Sequence, residues 1–175
     1  MVKNEKEIIE KITSIMLFEI SDMQKVRLLK ARENRMKAAL NNVSKDILEV
    51  LKELKAKDVK LGLISNADVI DCKYWQQSPL AQFFDDVIFS CDVGILKPDR
   101  EIYKLAMARL YVEPKECMFV GDGGSSELEG ARAVGMKTVF TEALDVKGDA
   151  KRAKIMEHAD YHIKEFGELV TKCHF

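Results

Sequence analysis

The sequence predicts an α/β protein with a parallel sheet covered by helices on both faces, and three observations carry that expectation. After Asp58, short apolar runs alternate with segments of helical length: KLGLIS (60–65), DVIFS (86–90), CMFVG (117–121), KTVFT (137–141) and DYHI (160–163). Pro98, Pro114 and the glycines at 121, 123, 124 and 135 fall at the joints between these runs. Residues 117–131, CMFVGDGGSSELEGA, lead an apolar strand straight into Gly121-Asp122, with Glu127 about one helical turn later. Two carboxylates thus stand beside a glycine-bent loop at a strand's carboxyl end, where open α/β sheets bind ligands.

The front of the chain has a different rhythm. Residues 1–57 read as helix, with Ile8, Ile9, Ile12 and Ile15 on one face. Ser21 followed by Gln24 has the spacing of a capping box, which starts a second helix running to about Leu40. Asn41-Asn42 breaks that helix, and Ser44 with Ile47, Val50, Leu51 and Leu54 opens an amphipathic third. We therefore divide the chain into an N-terminal helical segment, 1–43, and an α/β core, 44–175. No internal repeat or low-complexity linker interrupts it.

Composition limits the function classes. The 175 residues suffice for one full-sized domain with a real core. A net charge of −1 with both signs interspersed provides no field for nucleic acid or an anionic membrane, so the expected partner is a small molecule or a protein. No apolar run approaches the ~18 residues of a membrane span, and the charged start MVKNEKEIIEK does not resemble a secretory signal. The expected location is the cytoplasm. Cys72, Cys91, Cys117 and Cys173 show neither C-x-x-C spacing nor a disulfide framework and read as reduced structural thiols.

Four short motifs point to chemistry. LISN at 63–66 ends a strand in a hydroxyl, LKPD at 96–99 sets a lysine just before a helix start, and the Gly121-Asp122 loop leads to Glu127 and then to the returning strand KTVF. In this order and spacing the motifs resemble the haloacid dehalogenase-like hydrolases, over about residues 45–175. The resemblance implies a Rossmann-like three-layer α/β/α core and a Mg²⁺-dependent phosphomonoester hydrolase acting on a small phosphorylated molecule. It implies that Ser65, with Asn66, binds the transferred phosphoryl group. Lys97 would offset the charge of nucleophile and phosphate. Asp122 and Glu127 would hold Mg²⁺, with Glu127 standing where an aspartate is more usual. The front helices resemble the family's cap only loosely.

One family feature has no counterpart. The nucleophile lies on a central strand ending in D-x-D, and no D-x-D occurs in this sequence. Positioning groups without a nucleophile give little turnover, so this chain alone is expected to be a poor phosphatase. A non-catalytic relative that binds a phosphorylated ligand or a partner chain is the alternative. The missing strand would also leave two buried edges between LGLIS and CMFVG. They could pair directly, accept residues 15–21, in which Glu19 and Ser21 loosely echo the two aspartates, accept a strand from a second copy in a homodimer, or belong to a longer enzyme. Of the two readings of 15–21, continued helix with Ser21 as a cap fits the periodicity better.

Other features read as structural. His158 and His162 have helical ligand spacing, but Ala159-Asp160-Tyr161 looks like a turn. The aromatic stretch Lys73–Leu80 reads as packing, and Arg27, Arg32 and Arg35 as a solvated helical face that could meet substrate only if that helix is a cap. The glycines at 121–124 fit neither a dinucleotide fingerprint nor a P-loop.

Overall fold

The computed structural model describes residues 4–14, 19–144 and 146–173. Three helices open the chain: α1 (Glu5–Ser14), α2 (Asp22–Asn41) and α3 (Lys45–Ala56). Ser21 caps α2 as expected. Its hydroxyl accepts from the Gln24 amide at 3.3 Å while the Gln24 side chain accepts from the Ser21 amide at 2.7 Å. Ser21 therefore ends no strand, and Glu19 lies outside any regular element. Residues 15–18, the remainder of that proposed strand, lie outside the described residues.

α3 buries Val50, Leu51 and Leu54, whereas α2 buries nothing over 20 residues. Polar anchors dock α2 instead. Arg32 reaches Asp68 at 2.6 Å and Asp71 at 2.8 Å, Glu33 accepts from Lys73 at 2.8 Å and from the Tyr74 hydroxyl at 2.6 Å, and the Ser78 hydroxyl donates to the Leu40 carbonyl at 2.6 Å. Arg32 is thus a bridge and not part of a solvated face; Arg27 and Arg35 are exposed.

The alternating half follows the predicted runs: β1 (Gly62–Ser65), α4 (Val69–Cys72), β2 (Asp86–Phe89), α5 (Ser90–Val93), α6 (Arg100–Leu110), β3 (Met118–Gly121), α7 (Glu127–Arg132), β4 (Lys137–Thr141), α8 (Asp149–Met156), β5 (Tyr161–Ile163) and α9 (Glu168–Lys172). All pairings are parallel, β1 with β2 and β4 with both β3 and β5. Side chains alternate with the period of two that strands impose. Ile64, Ile88 and Phe119 pack with α6 and α7 on one face, and Leu61, Met118, Val120, Val139 and Ile163 pack with α3 and α9 on the other. The result is the three-layer α/β/α arrangement.

The strands form two groups, β1–β2 and β3–β4–β5, and among the described residues β1 and β3 do not pair. Direct pairing of the flanking strands is therefore not how the expected gap is closed. Exposure records the difference. β4, paired on both sides, buries its three central residues, while every residue of β1 and β3 retains some exposure. Trp75 is packing, as expected: it is buried and meets Phe84 and Phe89 edge-on, with centroids 5.5 and 5.9 Å away.

Candidate phosphate and metal site

The carboxyl ends of β1 and β3, and the turn after α5, deliver the predicted groups. Asn66 follows Ser65 directly, and its amide side chain clasps the backbone of Lys97. Asn66 Nδ2 donates to the Lys97 carbonyl at 2.9 Å, and the Lys97 amide donates to Asn66 Oδ1 at 2.7 Å. That pair of hydrogen bonds ties the turn carrying Ser65 to the turn carrying Lys97. Asp99 then caps α6 by accepting from the Glu101 amide at 3.0 Å, so the lysine sits on a fixed helix start.

Lys97 Nζ donates to Glu127 Oε2 at 2.6 Å and lies 5.7 Å from the centroid of the Phe119 ring. Glu127 reaches this position because the loop before it turns tightly: Gly123, Ser125 and Ser126 all take left-handed backbone conformations, with φ of 78°, 52° and 49°. The buried Tyr103 hydroxyl donates to the Glu127 carbonyl at 2.9 Å and pins the first turn of α7. Two glycines make room. A Cβ at Gly121 would collide with the Glu127 carboxylate, and one at Gly130 would lie 2.7 Å from both the Pro98 carbonyl and the Tyr103 hydroxyl.

The two acids are pushed apart. Burial raises the Glu127 carboxyl above its ordinary range, against the pull of Lys97 and with the Asp122 charge adding to the upward push. Burial also pushes Asp122 upward, but Lys147 Nζ at 2.9 Å and the Gly124 amide at 3.0 Å outweigh it and hold Asp122 low. The Asp122 side chain is 47% exposed and that of Glu127 only 7%, so one acid faces the crevice and the other lies behind it.

This donor set suits a hard divalent ion: two carboxylates converge, and Mg²⁺ commonly takes one or two protein carboxylates while keeping water in its other positions. Among the described residues no third His, Cys, Asp or Glu joins them. Both acids already hold an ammonium, so an incoming ion competes with Lys97 and Lys147 for the same oxygens.

Sequence reasoning missed Lys147, Glu142 and Ser90. Lys147 stands in no motif, and its side chain is only 6% exposed. Its amide donates at 3.2 Å to Glu142 Oε1, which also accepts from Arg152 Nε at 3.0 Å and Nη2 at 2.9 Å, while His162 lies 2.8 Å from Glu142 Oε2. The buried Ser90 hydroxyl accepts from the Ala67 amide and donates to the Ala67 carbonyl, both at 3.0 Å. Glu142 and Ser90 each directly follow a strand, the one signal that could have found them. His158 and His162 do not share a helix, because His162 lies in β5. A cavity of about 360 Å³ opens on the α8 side, lined by Gly123, Leu128, Lys151 and Ile155 among others, and includes none of the five predicted site residues.

Ser65 ends β1, Asp122 directly follows β3, and Lys97 and Glu127 meet beside them, so a hydroxyl, an ammonium and two carboxylates gather on the carboxyl side of the parallel strands. Residues 5–135 match the haloacid dehalogenase-like hydrolases, and the chain belongs to that family. It is 34% identical over 140 residues to a glyceraldehyde 3-phosphate phosphatase of Methanocaldococcus jannaschii, covering 78% of this chain and 59% of that protein. It is 32% identical over 128 residues to a ribulose-1,5-bisphosphate 5-phosphatase of Halopiger xanaduensis, covering 71% and 54%. The chain thus spans little more than half the length of these curated relatives. Among solved structures, a phosphatase of this family from Thermococcus onnurineus superposes with a TM-score of 0.59 at 32% identity, over 74% of this chain and 57% of the other. A beta-phosphoglucomutase-like protein from Thermotoga maritima shares the fold with a TM-score of 0.72 at 20% identity, over 97% and 77%. Among the described residues no helix is long and apolar enough to cross a membrane.

Proposed function

We propose that this chain carries the phosphate- and metal-binding part of a Mg²⁺-dependent phosphomonoester hydrolase acting on a small phosphorylated molecule. The observation that carries the reading is the Lys97–Glu127 contact of 2.6 Å, with Asn66 clasping the Lys97 backbone. It gathers three motifs far apart in sequence into one cluster. The names of the two curated relatives, both phosphatases of small phosphorylated compounds, support the substrate class.

In this reading Ser65 donates its hydroxyl to a non-bridging phosphate oxygen, and Asn66 holds the turn in place. Lys97, fixed on a helix start, offsets the phosphate charge. Asp122 and Glu127 hold the Mg²⁺, which supplies charge neutralisation at the phosphoryl oxygens when bound. Covalent attack requires a carboxylate entering between β1 and β3, and the sequence has no D-x-D to provide it. Turnover by this chain alone is therefore close to background. The second reading is a relative that binds a phosphorylated ligand without cleaving it.

Titrating inorganic phosphate into the protein by calorimetry, with and without Mg²⁺, tests the binding part. Wild type binds, and Lys97→Met weakens binding tenfold or more; a wild type that binds no phosphate overturns the reading. Hydrolysis of p-nitrophenyl phosphate tests the remainder. Background rates are expected, and rapid Mg²⁺-dependent turnover shows that a nucleophile other than D-x-D is in place.

A further inference from the structure

Two thiols far apart in sequence face each other beside the site. Cys72 closes α4, the short helix that follows the Ser65-Asn66 turn, and Cys91 is the second residue of α5, directly after β2. Their sulfurs lie 3.8 Å apart across 19 positions of chain, and both residues are half-buried. The segments carrying them are already held together. Ser90, next to Cys91, bonds both backbone atoms of Ala67 at 3.0 Å, and Arg32 grips Asp68 and Asp71 on the α4 side at 2.6 and 2.8 Å. A disulfide needs sulfurs about 2 Å apart, so side-chain rotation has only a short distance to close.

We infer that Cys72 and Cys91 form a reversible thiol–disulfide pair, oxidised by exchange with a small-molecule disulfide, that staples the turn after β1 to the helix after β2. The electron balance is simple. Cys72 loses its proton and attacks one sulfur of the small disulfide, whose S–S bond breaks and releases one thiolate. Cys91 then loses its proton, attacks the Cys72 sulfur of the mixed disulfide and expels the second small thiolate. The two protein thiols give up two electrons, and their two protons end on the two released thiols.

Chemistry decides the order and the rate. Burial pushes both thiols up, Cys91 to about 12, while the contact with Cys91 pulls Cys72 partly back, so Cys72 attacks first. Exchange is slow at neutral pH and accelerates about tenfold per pH unit from 7 to 9 as the thiolate fraction grows. The staple depends on the thiol geometry alone, so its failure and failure of the phosphate reading are separate results.

The test is to incubate the full chain with oxidised glutathione at pH 8, quench by alkylation, and measure intact mass, peptide map and Tm. Wild type loses two hydrogens, yields a Cys72–Cys91 cross-linked peptide and gains about 5–10 °C in Tm, reversed by dithiothreitol. Cys91→Ser stops at a glutathione adduct on Cys72 and gains no Tm. Three wild-type results overturn the proposal: no thiols lost, a persistent glutathione adduct on Cys72, or a cross-link to Cys117 or Cys173 instead. These readouts need no variant, so they stand even where Cys91→Ser folds poorly.

Discussion

Glu127 and Glu142 are both buried glutamates, 5% and 4% exposed, one opening α7 after the loop that leaves β3 and the other directly following the neighbouring β4, and the fold treats them oppositely. Glu127 has one ammonium, Lys97, and a second acid beside it, and burial leaves its carboxyl raised. Burial acts on Glu142 too, but Arg152 and His162 outweigh it, with the Lys147 amide adding to them, and hold it low. An acid saturated with donors is a strut. An acid left short of them keeps room for one more cation, the property that the proposed metal site asks of Glu127. The two are linked through Lys147, whose amide rests on Glu142 and whose ammonium rests on Asp122.

The largest expected effect separates the two glutamates by stability. Glu142→Ala strips Arg152 and His162 of their shared acceptor and lowers Tm more than substitution of Glu127, Arg32 or Ser21. Glu127→Gln keeps an acceptor for Lys97 and removes a poorly solvated charge, so its Tm stays within about 2 °C of wild type. Equal losses on thermal melting would erase the contrast.

Acidity sharpens the same contrast. With its folded pKa raised above the ordinary 4.5, Glu127 contributes most below that value and loses its contribution as pH rises through the folded pKa. Glu142, lowered from 4.5, contributes above that value and loses its contribution as pH falls through the folded pKa. Tm against pH for Glu127→Gln should therefore flatten on the rising side above pH 4.5, and for Glu142→Gln on the acid side below it. Reversed arms would mean that the donor assignments are wrong.

The two front helices repeat the contrast between polar and apolar anchoring. α3 is held by buried Val50, Leu51 and Leu54, whereas α2 buries nothing and depends on Arg32, Glu33 and its cap. Arg32→Ala should cost about 1–2 kcal/mol in urea denaturation, since it frees two carboxylates at once. Ser21→Ala should cost about 1 kcal/mol or less, the usual worth of an N-cap. A negligible effect of Arg32→Ala would mean that α2 docks by other contacts.

Much of this was legible in the sequence because local chemistry dictated it. β1 to β5 fall on the five apolar runs, since β-rich residues bounded by Gly and Pro leave few alternatives, and Ser21-x-x-Gln24 specified its own cap. Lys97, Asn66, Asp122 and Glu127 were singled out by motif order, and the structure places them close together; Ser65 shares their edge as the neighbour of Asn66. What escaped was long-range. The sequence around Lys147 does not indicate that a loop after β4 will carry it back to Asp122, and the 19 positions between Cys72 and Cys91 match no spacing rule. Arg32 read as surface because its partners, Asp68 and Asp71, belong to a different element. Such pairings are set by how elements pack, which periodicity does not encode.

The central claim is that Asp122 and Glu127 form a site for a divalent cation, and Mg²⁺-dependent thermal stability tests it most directly. Ion near a hundred times its dissociation constant should raise the Tm of wild type by about 5 °C or more and leave Asp122→Asn unmoved. An identical rise in both proteins, or none in wild type, would contradict the claim.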